Sequence, residues 1–403
     1  MIEELEARKR ILESTSSGPV MWVPISMAVD GVAAETLGAR LDCPVFDNSS
    51  MDGYAVRASE CRTGDTLNVA GQVQAAGPDL DLILKPGEAL RIFTGAAIPR
   101  GADAVIMQED VEFVDDERTA IRIVEGVELA ENIRRRGSDV CEGQRILSKG
   151  ERIKPTTIGL LASQGLPNVP IFSRPMVNIV TTGDELVETG EWLGEGEIYN
   201  SNGPMLTAAV ERLGGIAARF HAMDDRGHLR SVLENALHTG DFVIIAGGVS
   251  VGDRDFVKET LTDLGVTTEF WRVNVKPGKP FVFGRFEDRV SVVGLPGNPV
   301  SAFVTFSMFA GPAIQKWLGK KDVSADQPAL ESFSGVLGTD LENRGDRPHY
   351  LRVKVDRENG NRITPFGVQQ SHAVHGLAQA DALVRLAASE SLQSGQSVTG
   401  WWI

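Results

Sequence analysis

Apolar positions follow three different rhythms along this chain, and each rhythm predicts its own architecture. Residues 3–13 form a charged, helix-like opening, and a small, Ala-rich apolar stretch carries it to about residue 42. From Tyr54 to about Arg122 the apolar runs become short (67–69, 89–93, 104–107, 111–114, 120–124) and are spaced by Gly, Pro and Asp, which predicts a β-rich domain. Residues 154–170 read as helical again. From Pro175 to Gly319 continuous apolar runs alternate with amphipathic stretches: strands at 176–180, 216–222, 242–246, 270–275, 281–283 and 290–293, helices at 202–213, 229–237, 253–264 and 300–318. Fully apolar strands alternating with helices imply a mostly parallel, doubly wound sheet covered on both faces. After Lys320-Lys321-Asp322 a polar linker leads to a module with β-like runs at 350–355, 382–386 and 397–403. The expected partition is residues 1–42 with 140–174 as a discontinuous helical domain, 43–139 as an inserted β-rich domain, 175–322 as the α/β domain, and 323–403 as a C-terminal β domain. No internal repeat or heptad run interrupts it.

Composition narrows the function classes. The 403 residues exceed what one core fills. Forty basic against 55 acidic side chains leave a net charge of −15, which argues against a general nucleic-acid or anionic-membrane binder but not against one local basic pocket. Cys43, Cys61 and Cys141 are too few and too scattered for a disulfide framework or a zinc signature. The charged N-terminus lacks a secretory apolar segment. The uncharged stretch 290–315 is broken by Leu295-Pro296-Gly297-Asn298-Pro299, which favours strand, loop and core helix over a membrane span. The expectation is a soluble, cytoplasmic protein.

Ligands of open α/β sheets bind outside the carboxyl ends of the strands. Three unusual loops follow predicted strands here: 181–185, 247–253 and 294–299. They are expected to converge on one rim. Gly247-Gly248-Val249-Ser250 would let backbone N–H groups approach an anion, although a tight turn with no ligand has the same composition. Neither a Walker lysine nor the dinucleotide fingerprint accompanies it. Asp184, Glu185, Asp224, Asp225, Asp253 and Asp255 crowd the same region. They read either as surface acids and helix caps or as donors for a hard cation such as magnesium. Lys276-Pro277-Gly278-Lys279-Pro280 holds two ammonium groups on a proline-stiffened loop, fit for an oxyanion or for an ordinary solvated hairpin. Arg134-Arg135-Arg136 is either a solvated face or a collector of an anionic substrate. Neither an HExxH nor a Gly-x-Ser-x-Gly motif occurs, so zinc and serine hydrolysis recede.

Taken together, residues 48–57, Phe93-Thr94-Gly95-Ala96, residues 132–139, Thr182-Gly183-Asp184-Glu185-Leu186, residues 198–202, 247–252, 276–280 and 294–301 stand in the order seen in the MoeA family, which includes the E domain of gephyrin. The chain resembles that family from about Phe46 to its C-terminus. The resemblance implies an enzyme that inserts molybdenum from molybdate into adenylylated molybdopterin, with Mg²⁺, releasing AMP. It assigns Gly247, Gly248, Val249, Ser250, Pro296, Gly297, Asn298 and Pro299 to the pterin-phosphate and nucleotide seats. It assigns Glu185 and Asp255 to magnesium, Asp224 to another functional acid, and Lys276, Lys279, Arg352 and Ser371 to molybdate. Asp52, Thr94 and Asp139 would complete the site from a second subunit, which implies a homodimer. Molybdoenzyme-maturation proteins are implied as further partners. The sequence departs from the family pattern at His375-Gly376 and Asp381. Two other readings are a molybdopterin adenylyltransferase, whose smaller enzymes share the α/β domain, and a non-catalytic scaffold.

Overall fold

In the computed structural model, which describes residues 1–75, 82–249 and 256–403, the chain forms two compact units. One comprises Met1–Glu35, Lys149–Lys154 and Val169–Ile403, the other Thr36–Ser148 and Pro155–Asn168.

The first unit is organised by a six-stranded sheet of β1 (Met176–Thr182), β2 (Ile216–Ala222), β3 (Phe242–Ala246), β4 (Thr267–Trp271), β5 (Val282–Phe286) and β6 (Val290–Leu295) in the order β2-β1-β3-β6-β5-β4. The neighbours β2, β1, β3 and β6 are parallel, whereas β5 runs antiparallel to both β6 and β4. The sheet is therefore mixed at one side. Side chains alternate across it because the strand period is two. Ile179, Ile244 and Val293 join one apolar cluster with Ala7 and Ile11 of α1 (Glu4–Ser14), Leu206 and Val210 of α2 (Asn202–Leu213), and Val300 and Ala302. Val180, Val243 and Val292 join a second cluster with Leu229 and Leu233 of α3 (Arg226–Thr239) and Leu261 of α4 (Val257–Asp263). Both faces are covered, which explains the unbroken apolar runs.

Local chemistry sets the helix ends. Gly214 closes α2 in the left-handed region at φ 105°, where its N–H caps the carbonyls of Val210 and Glu211. The expected helix at 300–318 begins at Pro299 as α5 (Pro299–Thr305) and continues to Trp317 through a π turn at Phe306–Ala310. Pro312 lies just beyond that turn, and its missing N–H and ring prevent a regular helical hydrogen bond there. The expected strand at 270–275 is broken at Arg272, whose φ is 83°.

The C-terminal segment closes a five-stranded barrel from Ser332–Leu337, Arg362–Pro365, His349–Asp356, Ala382–Leu386 and Ser397–Trp402. Leu337, Val353, Ile363, Val384 and Leu386 fill it, while Tyr350 and Leu383 belong to the sheet's first cluster, so barrel and sheet share a core. The second unit is built on six strands in the order Ala104–Met107, Gly53–Val56, Glu88–Ile92, Thr66–Val73, Ala120–Ile123 and Val111–Phe113, with the helix Pro155–Ser163. Among the described residues, no helix is long and apolar enough to cross a membrane.

Candidate active site

Strand register decides where the chemistry sits. Thr182 pairs with Ala222, Thr181 with Ala246, and Ala246 with Leu295, so the carboxyl ends of β2, β1, β3 and β6 lie level. The chain order reverses between β1 and β3, which makes this end the topological switch point. The loops after Thr182, Ala246 and Leu295 therefore open on one rim, as the sequence leads one to expect. Gly247 and Gly248 have φ of 102° and 61°. A Cβ at either would lie 2.9 Å from Thr182 Oγ1, so only glycine fits on both steric and dihedral grounds. The Gly247 N–H donates to the Leu295 carbonyl at 3.2 Å, and a Cβ on Gly297 would stand 3.7 Å from Gly247 Cα. The two glycine loops thus run side by side. Val249 is buried beneath them, against Gly294. Ser250, Asp253 and Asp255 lie outside the described residues.

Pro296 is buried, whereas Gly297 and Asn298 are exposed at the entry to α5. Asn202 Nδ2 donates to the Gly297 carbonyl at 2.6 Å and fixes that turn from α2. On the β1 side, Asp184 Oδ1 accepts the Asp224 N–H at 2.9 Å and so joins the loops after β1 and β2. Asp225 caps α3 by accepting the His228 N–H at 2.8 Å, which accounts for one acid of the crowd structurally. Glu185 is exposed, and its carboxylate folds back over Gly183, where the absence of a Cβ leaves the space. Among the described residues no three His, Cys, Asp or Glu side chains converge as a metal cage. Glu185 nonetheless offers the hard oxygen that magnesium takes when it shares its shell with phosphate.

The antiparallel entry of β5 brings the lysines in. Val282 pairs with Gly294 of β6 and with Trp271 of β4, so residues 272–281 emerge on the same rim. Lys276 and Lys279 are exposed, and neither has an ion pair among the described residues. Gly278 has φ 119° and is packed on Thr305. Ser371 reaches this end through its carbonyl, which accepts the Val300 N–H at 3.1 Å. Arg352 is only 2% exposed. Its guanidinium donates to the carbonyls of Val368 and Ala373, so it grips the loop that carries Ser371. Burial lowers the pKa of Arg352 from its ordinary value. His349, beside Lys276, has its pKa pushed down to about 4, first by burial and then by Lys276, Arg352 and Arg347. Asp381 pairs with Lys354 at 3.0 Å.

In the second unit, Asp52 Oδ1 accepts both the N–H (2.8 Å) and the hydroxyl (2.9 Å) of Thr94. Those two bonds, the backbone one first, and Arg91 hold the Asp52 carboxyl below its usual range. Asp139 is exposed, and its N–H donates to the Cys43 carbonyl at 3.0 Å. The arginine run is largely neutralised: Arg136 pairs with Asp42 and Arg135 with Asp47.

Relatives sort this geometry into a family. A chain from Haemophilus influenzae named molybdopterin molybdenumtransferase is 34% identical over 98% of this chain and 96% of its own length. Molybdopterin molybdenumtransferase 2 from Mycobacterium tuberculosis is 35% identical over 94% of each chain. This chain belongs to the molybdopterin molybdenumtransferase family. It is thus a member of a family of transferase enzymes. Profiles of the MoeA N-terminal region (domain I and II), a "probable molybdopterin binding domain" and the MoeA C-terminal region (domain IV) match residues 2–165, 178–316 and 334–401. The crystal structure of a molybdopterin biosynthesis MoeA protein from Pyrococcus horikoshii superposes with a TM-score of 0.84 at 30% identity, over 100% of this chain and 99% of that one.

Three residues of this molybdenumtransferase-family chain were given no role from the sequence, although two of them lie in the motif at 198–202. Asn200 donates to Thr181 Oγ1 and Glu188 and accepts the Gly203 N–H, binding the β1 loop to the start of α2. Asn202 holds Gly297, and Gln369 brackets the Arg352 backbone with bonds of 3.0 and 2.9 Å. The polar run at 200–202 ahead of Gly203-Pro204 carried the available signal. Gln369 carried none.

Proposed function

We propose that this chain inserts molybdenum from molybdate into adenylylated molybdopterin and releases AMP. The observation that carries the reading is the common rim: two close-packed glycine loops, two lysines with no ion pair among the described residues, and the Ser371 loop at the same end of one sheet. Gly247, Gly248, Val249 and Ser250, with Pro296, Gly297, Asn298 and Pro299, would seat the pterin phosphate and the nucleotide. Exposed backbone N–H groups at loop ends suit such anions. Lys276, Lys279 and Ser371 would hold molybdate, since a tetrahedral oxyanion needs fixed cations and a hydroxyl donor. Arg352 supports that group by fixing the Ser371 loop. Glu185, with Asp255, would hold magnesium, and Asp224 would keep the neighbouring loop in register. When bound, magnesium supplies neutralisation of charge on the phosphoanhydride oxygens.

Asp52, Thr94 and Asp139 belong to the other compact unit. We assign them to the site of a partner subunit in a homodimer. The four-domain partition, a cytoplasmic location and transfer of product to molybdoenzyme-maturation proteins complete this reading. Its test is AMP formation from adenylylated molybdopterin. One AMP per cofactor, strictly dependent on added molybdate, is the expected result. Pyrophosphate formed from ATP and metal-free molybdopterin would instead assign an adenylyltransferase. For the dimer, coexpressed Asp52→Ala and Lys279→Ala chains should regain activity that neither has alone, and failure to do so removes the shared site.

A further inference from the structure

Lys276 is held from behind by one strand of the barrel. Its N–H donates to the Pro348 carbonyl and its own carbonyl accepts the Tyr350 N–H, both at 2.8 Å. Arg347 Nη1 donates to the Val275 carbonyl at 3.2 Å, one residue earlier in the same loop. The strand His349–Asp356 begins at this clamp, and Arg352 on the same strand grips the Ser371 loop. The two backbone segments assigned to the oxyanion therefore hang on a single strand.

That strand is itself tied to the N-terminal helix. The Tyr350 ring is 3% exposed, and its hydroxyl donates to Glu4 Oε1 at 2.8 Å. Glu4, the first residue of α1, is 7% exposed and also accepts from Arg8 and Arg385, each at 3.1 Å. Arg385 is the cross-strand partner of Tyr350. Burial, and then the Glu4 carboxylate, push the Tyr350 phenol up from its ordinary pKa, so it remains a donor at any physiological pH. A buried carboxylate needs its charge paired and its lone pairs filled, and an apolar cluster in the same slot is often at least as stable.

We propose that Glu4 and Tyr350 are positioning residues for the oxyanion: through the strand that starts at His349 they set where Lys276 and the Ser371 loop present their donors. This rests on the reading of Lys276 and Ser371 as molybdate-holding groups. Both side chains are buried and act through the backbone they anchor: Tyr350 through the strand, and Glu4 also through the adjoining Ile2–Glu3, which pairs with Val273–Asn274 of the lysine segment.

The experiment uses the full-length chain and varies molybdate in the AMP-release assay. Tyr350→Phe keeps the ring and removes one hydroxyl. We expect it to raise KM for molybdate about fivefold with kcat at saturating molybdate within about twofold, as a small misplacement of a binding group does. Glu4→Gln should shift KM the same way, and the double variant should match the larger single effect because both belong to one network. Thermal midpoints are measured alongside. An unchanged molybdate KM in Tyr350→Phe, or a fall in kcat and thermal midpoint with KM unchanged, overturns the proposal. Lys276→Ala separates the two levels: if it leaves KM unchanged, the assignment of Lys276 fails, whereas a raised KM there beside an unaffected Tyr350→Phe sinks the positioning role alone.

Discussion

Two of the basic segments in this acidic chain behave oppositely. At residues 134–136 the second and third arginines are matched to Asp47 and Asp42, and the Arg136 N–H also donates to Asp47 at 2.8 Å. At residues 276–280 both lysines lack a carboxylate partner among the described residues, and the loop is anchored through its backbone instead. Compensated cations fold a turn. Uncompensated cations on a fixed backbone are free to meet an anion, because no internal partner must first be displaced. The lesson is that a run of basic residues is informative only once its partners are known.

The contrast is tested first by activity. Lys279→Ala should lower molybdate-dependent AMP release about a hundredfold or more, while leaving the denaturation midpoint almost unmoved because the side chain is exposed. Arg136→Ala should stay within about twofold of the parent. Equal losses in the two variants would break the distinction. Next comes the stiffness of the lysine loop. Gly278→Ala places a methyl against Thr305 at a φ that L residues rarely adopt, and should destabilise the chain by about 2 kcal/mol in chemical denaturation.

A titration sharpens the comparison further. Unfolded histidine takes up its proton near the ordinary 6.5, whereas His349 waits until about 4. The stability attached to neutral His349 is therefore complete above 6.5 and declines as the pH falls from there toward 4. His349→Gln should flatten the stability profile in that window, and Lys276→Gln should raise the histidine's titration midpoint in NMR, since burial is the first cause and Lys276 the second. The smallest effect belongs to the paired segment. Hydrogen bonds from Glu142 and Arg136 hold Asp42 below the usual carboxylate range, so its contribution is present above that range and fades as the pH falls through the depressed value. Asp42→Asn should alter only the acid limb of the denaturation curve. A change near neutral pH would mean the arginine run does more than fold its turn.

Much of the α/β domain was legible because its signals are local. Unbroken apolar runs marked β1, β3 and β6, and Gly214 marked the end of α2. The rim followed from a general rule of such sheets, and the register of Thr182, Ala246 and Leu295 bears it out. The reversal of β5 was not legible. A strand's direction in a sheet depends on which partner it meets, and an apolar run reads alike in both orientations. The burial of Arg352 and its bond to the Ala373 carbonyl were also hidden, since a buried guanidinium and an exposed one have the same letter.

The sequence by itself determined most strands and helices of the α/β domain, where glycines punctuate its loops, and which family the motifs resemble. These depend on hydrophobic period, dihedral freedom and local capping, all encoded within a few residues. Only the tertiary structure decided that Lys276 hangs from Pro348 and Tyr350, that Tyr350 answers to Glu4, and that Arg136 answers to Asp42. Those pairings join positions from opposite ends of a unit, and no short-range pattern can specify which buried or surface charge will find which partner.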